Sequence, residues 1–264
     1  MKIRVISLSD ACERRDYISA QLNSRNLEFQ FFNALTGNNG YEPYFAAYSR
    51  SHYLLNTGRL AAPGEIGCYA SHRALWKQCV SLKEPILIAE DDAVFSDRFS
   101  SAINQVGGLI ESYGFIRLET VERHSRQWKL RMNGHQLIEE CGEFGIHYVS
   151  RMSLCATCYA ISPIVAAAFL SKSQVLTEPV DKFMQKNWVH KQPLYALVPP
   201  VARQDGFSVF SSIEAGRASA MKLPLIGIPR FFFKAKEKIR RFAFNLTHER
   251  LKEAPSSARL SAAR

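Results

Sequence analysis

An α/β fold follows from three features of the sequence. Ile86, Leu87, Ile88 and Ala89 form a short continuous apolar run that reads as a buried strand. The chain opens on another strand pattern, Ile3 to Leu8, followed by a short loop and a helical segment. Strand-like and helix-like runs then alternate to near residue 200, as in a sheet covered by helices. With 264 residues and 47% apolar content, the chain can fill such a core, which excludes global disorder.

Taken in order, Val5, Ile6 and Leu8 are the apolar positions of the first strand. Asp10 followed by Glu13 predicts a capping box, with a helix from Ala11 to about Arg25 that puts Ile18 and Leu22 on one face. Arg14 and Arg15 lie in its first turn and oppose the helix dipole; they either face an anion or are solvated. Leu27 to Ala34 predicts a second strand, and Thr36 to Gly40 a loop. Tyr41 to Tyr53 is aromatic and reads mainly as packing, with a sugar-facing surface as the alternative. After the breaker Ala61 to Gly64, a helix is predicted from Glu65 to about Leu82; His72 on it reads as a satisfied core or surface residue.

Beyond the acidic end of the Ile86 strand, Asp97 to Tyr113 predicts a helix frayed at Gly107 and Gly108, and Phe115 to Leu118 a strand. Glu119 to Gly145 reads as an irregular insertion or hairpin. Ile146 to Val149 and Leu154 to Ile161 read as strands, and the Cys155/Cys158 pair as packing thiols within the second. Ser162-Pro163 is a strong helix start. Glu178 to Asp181 precede one amphipathic helix holding Phe183, Met184 and Trp188. Asp181 either caps that helix or faces a pocket. Leu194 to Val198 is the last strand, and Gln204, Asp205, Ser208, Ser211 and Ser212 form a polar loop.

The chemistry concentrates at Glu90, Asp91 and Asp92, three carboxylates in a row at a strand's carboxyl end, with no Lys or Arg beside them in sequence. Ligands bind at such strand ends in open α/β sheets. A hard divalent cation, Mg²⁺ or Mn²⁺, would neutralise the cluster and could clamp a diphosphate. Alternate residues of an extended segment point the same way, so Glu90 and Asp92 can share an ion while Asp91 points elsewhere.

The net charge of +10 is uneven. Residues 222–264 hold 11 Lys/Arg and 3 Asp/Glu, and the preceding 221 residues 23 and 21, so the body is near neutral and the tail basic. In the tail, Phe232, Ala235, Ile239, Phe242 and Leu246 recur at helical spacing, interleaved with Arg230, Lys234, Lys238 and Arg241. That pattern suits a helix lying on an anionic membrane; docking on the body and nucleic-acid contact are weaker readings. No apolar run approaches the roughly 20 residues that span a bilayer. Six irregularly spaced cysteines and an opening without a signal-peptide pattern lead to the expectation of a reduced cytoplasm, with the tail at the inner membrane.

Several stretches together resemble the bacterial lipopolysaccharide glycosyltransferases of glycosyltransferase family 25. These are Val5-Ile6-Ser7-Leu8 with Glu13-Arg14-Arg15, Phe31-Phe32-Asn33-Ala34 with Gly37, Gly64-Glu65-Ile66-Gly67-Cys68 with Ser71-His72, and Ile88 to Ala93. Thr157, Tyr159, Ile161 and Ser162, then Val180-Asp181, then Gln204 with Ser211-Ser212-Ile213 follow in order. The resemblance spans roughly residues 1–215, leaving 216–264 as a separate basic tail, and finds no counterpart for Glu119 to Gly145. It implies a GT-A-like domain with a Rossmann-like nucleotide half, a UDP-sugar donor (most often UDP-galactose) and a lipooligosaccharide acceptor. It also implies β-linkage with inversion and a metal held by Glu90 and Asp92. The implied donor contacts are Leu8, Arg14, Arg15, Asp91, Gln204 and Ser211. Inversion requires a general base on the acceptor side, which the resemblance assigns to Asp181, with Glu178 and Asp205 as alternatives. Two other readings are a sugar-phosphate nucleotidyltransferase and a non-catalytic membrane-associated binding protein. The first usually needs a Gly-rich loop after strand one, and Ser7 to Asp10 has no glycine; the intact acidic triplet argues against the second.

Overall fold

The computed structural model describes residues 1–38, 41–119, 135–150, 154–204 and 227–251. The elements run β1 (Lys2–Ser7), α1 (Cys12–Asn23), β2 (Phe29–Asn33), β3 (Ala47–Tyr48), α2 (Arg50–Thr57), α3 (Pro63–Leu82), β4 (Ile86–Glu90), β5 (Ala93–Phe95), α4 (Phe99–Tyr113) and β6 (Phe115–Arg117). They continue with β7 (His135–Cys141), β8 (Phe144–Val149), β9 (Cys158–Ile161), α5 (Pro163–Lys172), β10 (Val175–Leu176), α6 (Val180–Met184), α7 (Asn187–His190), β11 (Tyr195–Val198), β12 (Ala202–Gln204) and α8 (Gly227–Leu251).

Eight strands form the central mixed sheet in the order β2-β1-β4-β9-β6-β11-β8-β7. β1 pairs in parallel with both β2 and β4, whereas β9 runs antiparallel between β4 and β6. Strand alternation divides the apolar residues into two cores. Ile3, Val5, Leu87 and Ala89 face one layer with α1 and α4, through Ile18, Leu22, Phe99 and Val106. Ile6, Ile86 and Ile88 face the other, with Tyr69 and Trp76 of α3 and Phe169 of α5. Burial on both faces explains why the β4 run is apolar without interruption.

The α/β expectation holds, and several boundaries and details differ. Asp10 does not cap α1: the N-cap is Ala11, with no side-chain cap bond, and the Asp10 backbone carbonyl accepts the Cys12 N–H at 2.9 Å. Pro63 and Gly64 belong to α3, because Pro at the first helical position needs no N–H partner. α4 is continuous through Gly107 and Gly108. Within the Glu119–Gly145 stretch, β7 forms a hairpin with β8. The helix expected after Asp181 is two short ones, α6 and α7. Ser162 caps α5 through the Val165 N–H, as the Ser-Pro pair implied. The tyrosines between 41 and 53 pack together: Tyr53 is buried, and its hydroxyl donates to Glu65 Oε2 at 2.9 Å.

Two close approaches lock the loop after β2 onto α3. A Cβ on Gly67 would lie 2.3 Å from the Leu35 carbonyl oxygen, and one on Gly37 would lie 2.0 Å from that of Pro63. Ser71 Oγ bridges the same seam, accepting the Leu35 N–H and donating to the Gly67 carbonyl, both at 2.8 Å. Gly67→Ala must push backbone from backbone, so we expect a loss of ~1–3 kcal/mol or more, read as a lower urea midpoint at unchanged m.

Candidate functional site

β1 and β4 lie side by side, and their onward connections leave in opposite directions along the sheet, to β2 and towards β6. Their carboxyl ends therefore border a switch-point crevice. Glu90 ends β4, its N–H bonded to the Thr157 carbonyl at 2.8 Å; the Asp91 N–H reaches the Ile6 carbonyl at 3.1 Å. The triplet lacks basic neighbours in sequence, but α1 brings one in space: Arg14 Nη1 lies 3.3 Å from Asp91 Oδ1. The anion that Arg14 faces is thus a carboxylate of the protein itself.

Arg15 ties strand ends together. Its Nε donates to the Leu8 carbonyl at 2.9 Å, its Nη2 to the Ser7 carbonyl at 3.2 Å and Asn33 Oδ1 at 2.6 Å. The guanidinium also stacks 4.6 Å over Phe31. Leu8 is half-exposed at the same rim.

Asp92 leads into β5, which pairs antiparallel with β12 and aligns Ala93 with Gln204. That register lets Gln204 Nε2 donate to Asp92 Oδ2 at 2.8 Å across 112 residues. Asp92 Oδ1 is buried without a hydrogen-bond partner. Burial first, and the Glu90 charge second, raise the Asp92 pKa to about 7. A buried carboxylate oxygen with no donor, beside other carboxylates, fits a divalent cation ligated by oxygen. Glu90 and Asp92 are the residues that could hold it.

His72, fully buried on α3, stands behind Glu90. Its Nδ1 lies 2.8 Å from the Tyr159 hydroxyl oxygen, which also accepts the Trp76 Nε1–H at 2.9 Å. Its Nε2 lies 3.3 Å from Glu90 Oε1, and Cys68 Sγ lies 3.8 Å from the same oxygen. Of the two readings the sequence leaves for His72, core or surface, the structure takes the core, and it gives Cys68 and Tyr159, motif positions without a role in the sequence, contacts at the site. The i,i+4 spacing of Cys68 and His72 was the available signal.

Asp181 lies in the first turn of α6, where Oδ1 accepts the Lys182 N–H at 2.7 Å; the N-cap itself is Pro179. Asp181 and Glu90 both act electrostatically on the buried Arg117 guanidinium. Burial lowers the Arg117 pKa, while Cys155, Asp181, Tyr159 and Glu90 oppose that shift. Arg117 bonds Glu119 and the Cys155 carbonyl, and Glu119 accepts the Cys158 N–H, so the pair braces β6 against β9. Glu178 is buried and held by Lys186 Nζ at 2.6 Å. Ser211 and Asp205 lie outside the described residues. An open cavity of about 1230 Å³ lies at the other end of the sheet, among Lys2, Arg4, Asn26 and Glu84, away from these groups.

The profile described as "Glycosyltransferase family 25 (LPS biosynthesis protein)" matches residues 1–184. The chain is 32% identical over 134 residues to "Lacto-N-neotetraose biosynthesis glycosyltransferase LgtB" of Neisseria gonorrhoeae, covering 47% of this chain and 46% of that protein. It is 31% identical over 141 residues to "Lipooligosaccharide biosynthesis protein lex-1" of Haemophilus influenzae, covering 44% and 47%. It is 27% identical over 228 residues to "Lacto-N-neotetraose biosynthesis glycosyltransferase LgtE" of Neisseria gonorrhoeae, covering 78% and 74%. The matched stretch thus spans about half the length of the first two relatives.

Proposed function

The chain belongs to glycosyltransferase family 25, and from that premise we propose that it transfers a hexose from a UDP-sugar, with UDP-galactose the expected donor, to a lipooligosaccharide acceptor with inversion. The observation that carries this reading is the acidic end of β4 in the β1/β4 crevice, with a buried Asp92 oxygen that has no donor. The fold we assign is GT-A-like. In this reading Glu90 and Asp92 hold Mg²⁺ or Mn²⁺, which when bound acts as a Lewis acid on the leaving diphosphate. Gln204 fixes one oxygen of Asp92 and so orients the other. Arg14 holds Asp91 at the crevice wall, and Asp91 orients the donor ribose or sugar. Arg15 stiffens the floor by joining the ends of β1 and β2. Asp181 takes the proton of the attacking acceptor hydroxyl.

UDP release from a panel of UDP-sugars, with Mn²⁺ and with chelator, tests the reading, with a lipooligosaccharide acceptor included so that transfer as well as donor hydrolysis is read. Metal-dependent turnover of one donor supports it. Intact donors and no UDP binding would refute it.

The tail supplies proximity to a lipid-linked acceptor. α8 docks through a mixed face: Glu237 Oε2 meets Lys186 Nζ at 2.9 Å and the Trp188 Nε1–H at 3.2 Å, Asn245 bonds Tyr148, Asn187 and the Ser150 carbonyl, and the partly buried Phe233 and Phe244 rings meet His52 and Lys191. Ile228, Phe231, Phe232, Ile239 and Phe242 remain exposed, each by 65% or more. Among the described residues no helix is long and apolar enough to cross a membrane. We therefore assign this face to an anionic membrane surface, reached by a cytoplasmic enzyme at the inner membrane. Lys and Arg near such a surface add about 1 kcal/mol each. A Phe232→Glu/Phe242→Glu double variant should lose co-sedimentation with phosphatidylglycerol vesicles yet keep its melting temperature. Undiminished binding would remove α8 from this role.

A further inference from the structure

One chemically distinct group of side chains lies behind the proposed donor site. Cys68 and His72 are four residues apart on α3, so they share the face that meets the end of β4. There Cys68 Sγ, His72 Nε2 and a Glu90 carboxylate oxygen all lie within 4.8 Å of one another. We propose that these three atoms form a binding site for a borderline-soft divalent cation of the zinc class, with a fourth position left for water.

The geometry carries the argument. With zinc–sulfur near 2.3 Å and zinc–nitrogen or –oxygen near 2.0–2.1 Å, tetrahedral edges are about 3.3 Å for N···O and about 3.6 Å for S···O. The structure has His72 Nε2 to Glu90 Oε1 at 3.3 Å and Cys68 Sγ to the same oxygen at 3.8 Å. Two of the three donor pairs therefore already stand close to ligand spacing, and the third, Sγ to Nε2, lies within 4.8 Å. The imidazole is oriented from behind, as ligating histidines are: Tyr159 holds Nδ1 at 2.8 Å and is itself fixed by Trp76. Cys68 and Glu90 are each partly exposed, which gives an ion a path in, while His72 is fully buried.

A thiol, an imidazole and a carboxylate select differently from the oxygen-only set at Asp92. Sulfur and nitrogen donors favour zinc-class ions, and carboxylates alone favour magnesium or manganese. Both contacts of the cluster use Glu90 Oε1, so Oε2 takes part in neither. The site shares Glu90 with the proposed donor metal but does not depend on that reading. Binding expels the Cys68 thiol proton to solvent and so weakens as pH falls.

The full chain, reduced with a non-chelating phosphine, is titrated with Co²⁺ and followed by absorption, then challenged with Zn²⁺. We expect one equivalent per chain with a thiolate-to-cobalt band and the strong visible bands of four-coordinate cobalt, both abolished by zinc. Cys68→Ser should remove the thiolate band and weaken zinc binding at least tenfold, and His72→Gln should weaken it as well. Zinc X-ray absorption on the unaltered chain gives a readout free of folding effects: one sulfur at about 2.3 Å among lighter ligands is expected. Pale six-coordinate cobalt, no sulfur shell, or a thiolate band that survives Cys68→Ser would overturn the site. Mn²⁺-dependent UDP binding, measured on the same samples, separates the two readings; its absence beside an intact cobalt spectrum would count against the donor reading alone.

Discussion

Asp92→Asn is expected to lower metal-dependent donor turnover by ~10²–10³-fold, the effect of removing one preorganised charge contact from a developing anion. The fold should survive, because the amide oxygen of the substituted side chain can still accept from Gln204 and the variant no longer brings a charge beside Glu90. The same substitution has a pH signature in the metal-free protein. The Asp92 pKa is raised from 3.8 to about 7, chiefly by burial and then by Glu90, so the folded state holds its proton more tightly than the unfolded chain. The stabilisation this gives is full below the unfolded pKa and is lost as pH rises through about 7. Relative to wild type, Asp92→Asn should therefore gain melting temperature steadily from pH 4 to pH 8. Saturating Mn²⁺ should reverse the gain by stabilising only the wild type at neutral pH. A melting difference that is flat with pH, with donor turnover retained, would remove the Asp92 carboxylate from the metal site.

What the sequence revealed, and what it hid, follows the range of the interactions. The β4 strand, its acidic end and the Ser162-Pro163 start of α5 are written in adjacent residues, and all three stand in the structure. The capping role given to Asp10 was misplaced by one residue, because the backbone turn there satisfies the Cys12 N–H without a side chain. The single helix expected after Asp181 breaks at Gln185, and the next residue, Lys186, is drawn into ion pairs with Glu178 and with Glu237. No local pattern announces a lysine that joins residues 178 and 237. Trp188 was expected on an apolar face, yet its N–H meets the same Glu237.

The candidate site divides in the same way. The three carboxylates were legible because like charges in a row at the end of an apolar strand need a counter-ion. Their surroundings were not legible: Arg14 reaches Asp91 across 77 positions, Gln204 reaches Asp92 across 112, and Tyr159 reaches His72 across 87. Resemblance by motif supplied Arg14 and Gln204 but gave no account of their partners. Tyr159 appeared only as a letter in a strand motif, although its hydroxyl joins Trp76 to His72.

Asp181→Asn is the second large effect, and it separates acceptor activation from donor binding. Loss of a general base typically costs ~10²–10⁴-fold in rate, so kcat for transfer should fall in that range while UDP affinity and the donor KM stay within about twofold. The fold should tolerate the change, since Asp181 is only partly buried and an amide oxygen there can still accept the Lys182 N–H. Glu178→Gln supplies the contrast. Glu178 is buried and ion-paired with Lys186, and breaking such a pair from one side costs ~3–5 kcal/mol, which would appear as a lower melting temperature before any kinetic selectivity. The two carboxylates lie three residues apart, so the pair of variants distinguishes a chemical role from a structural one within a single turn of chain. If Asp181→Asn transfers at the wild-type rate, the proton of the acceptor hydroxyl leaves by another group. The acidic end of β4 would then keep its donor role without Asp181.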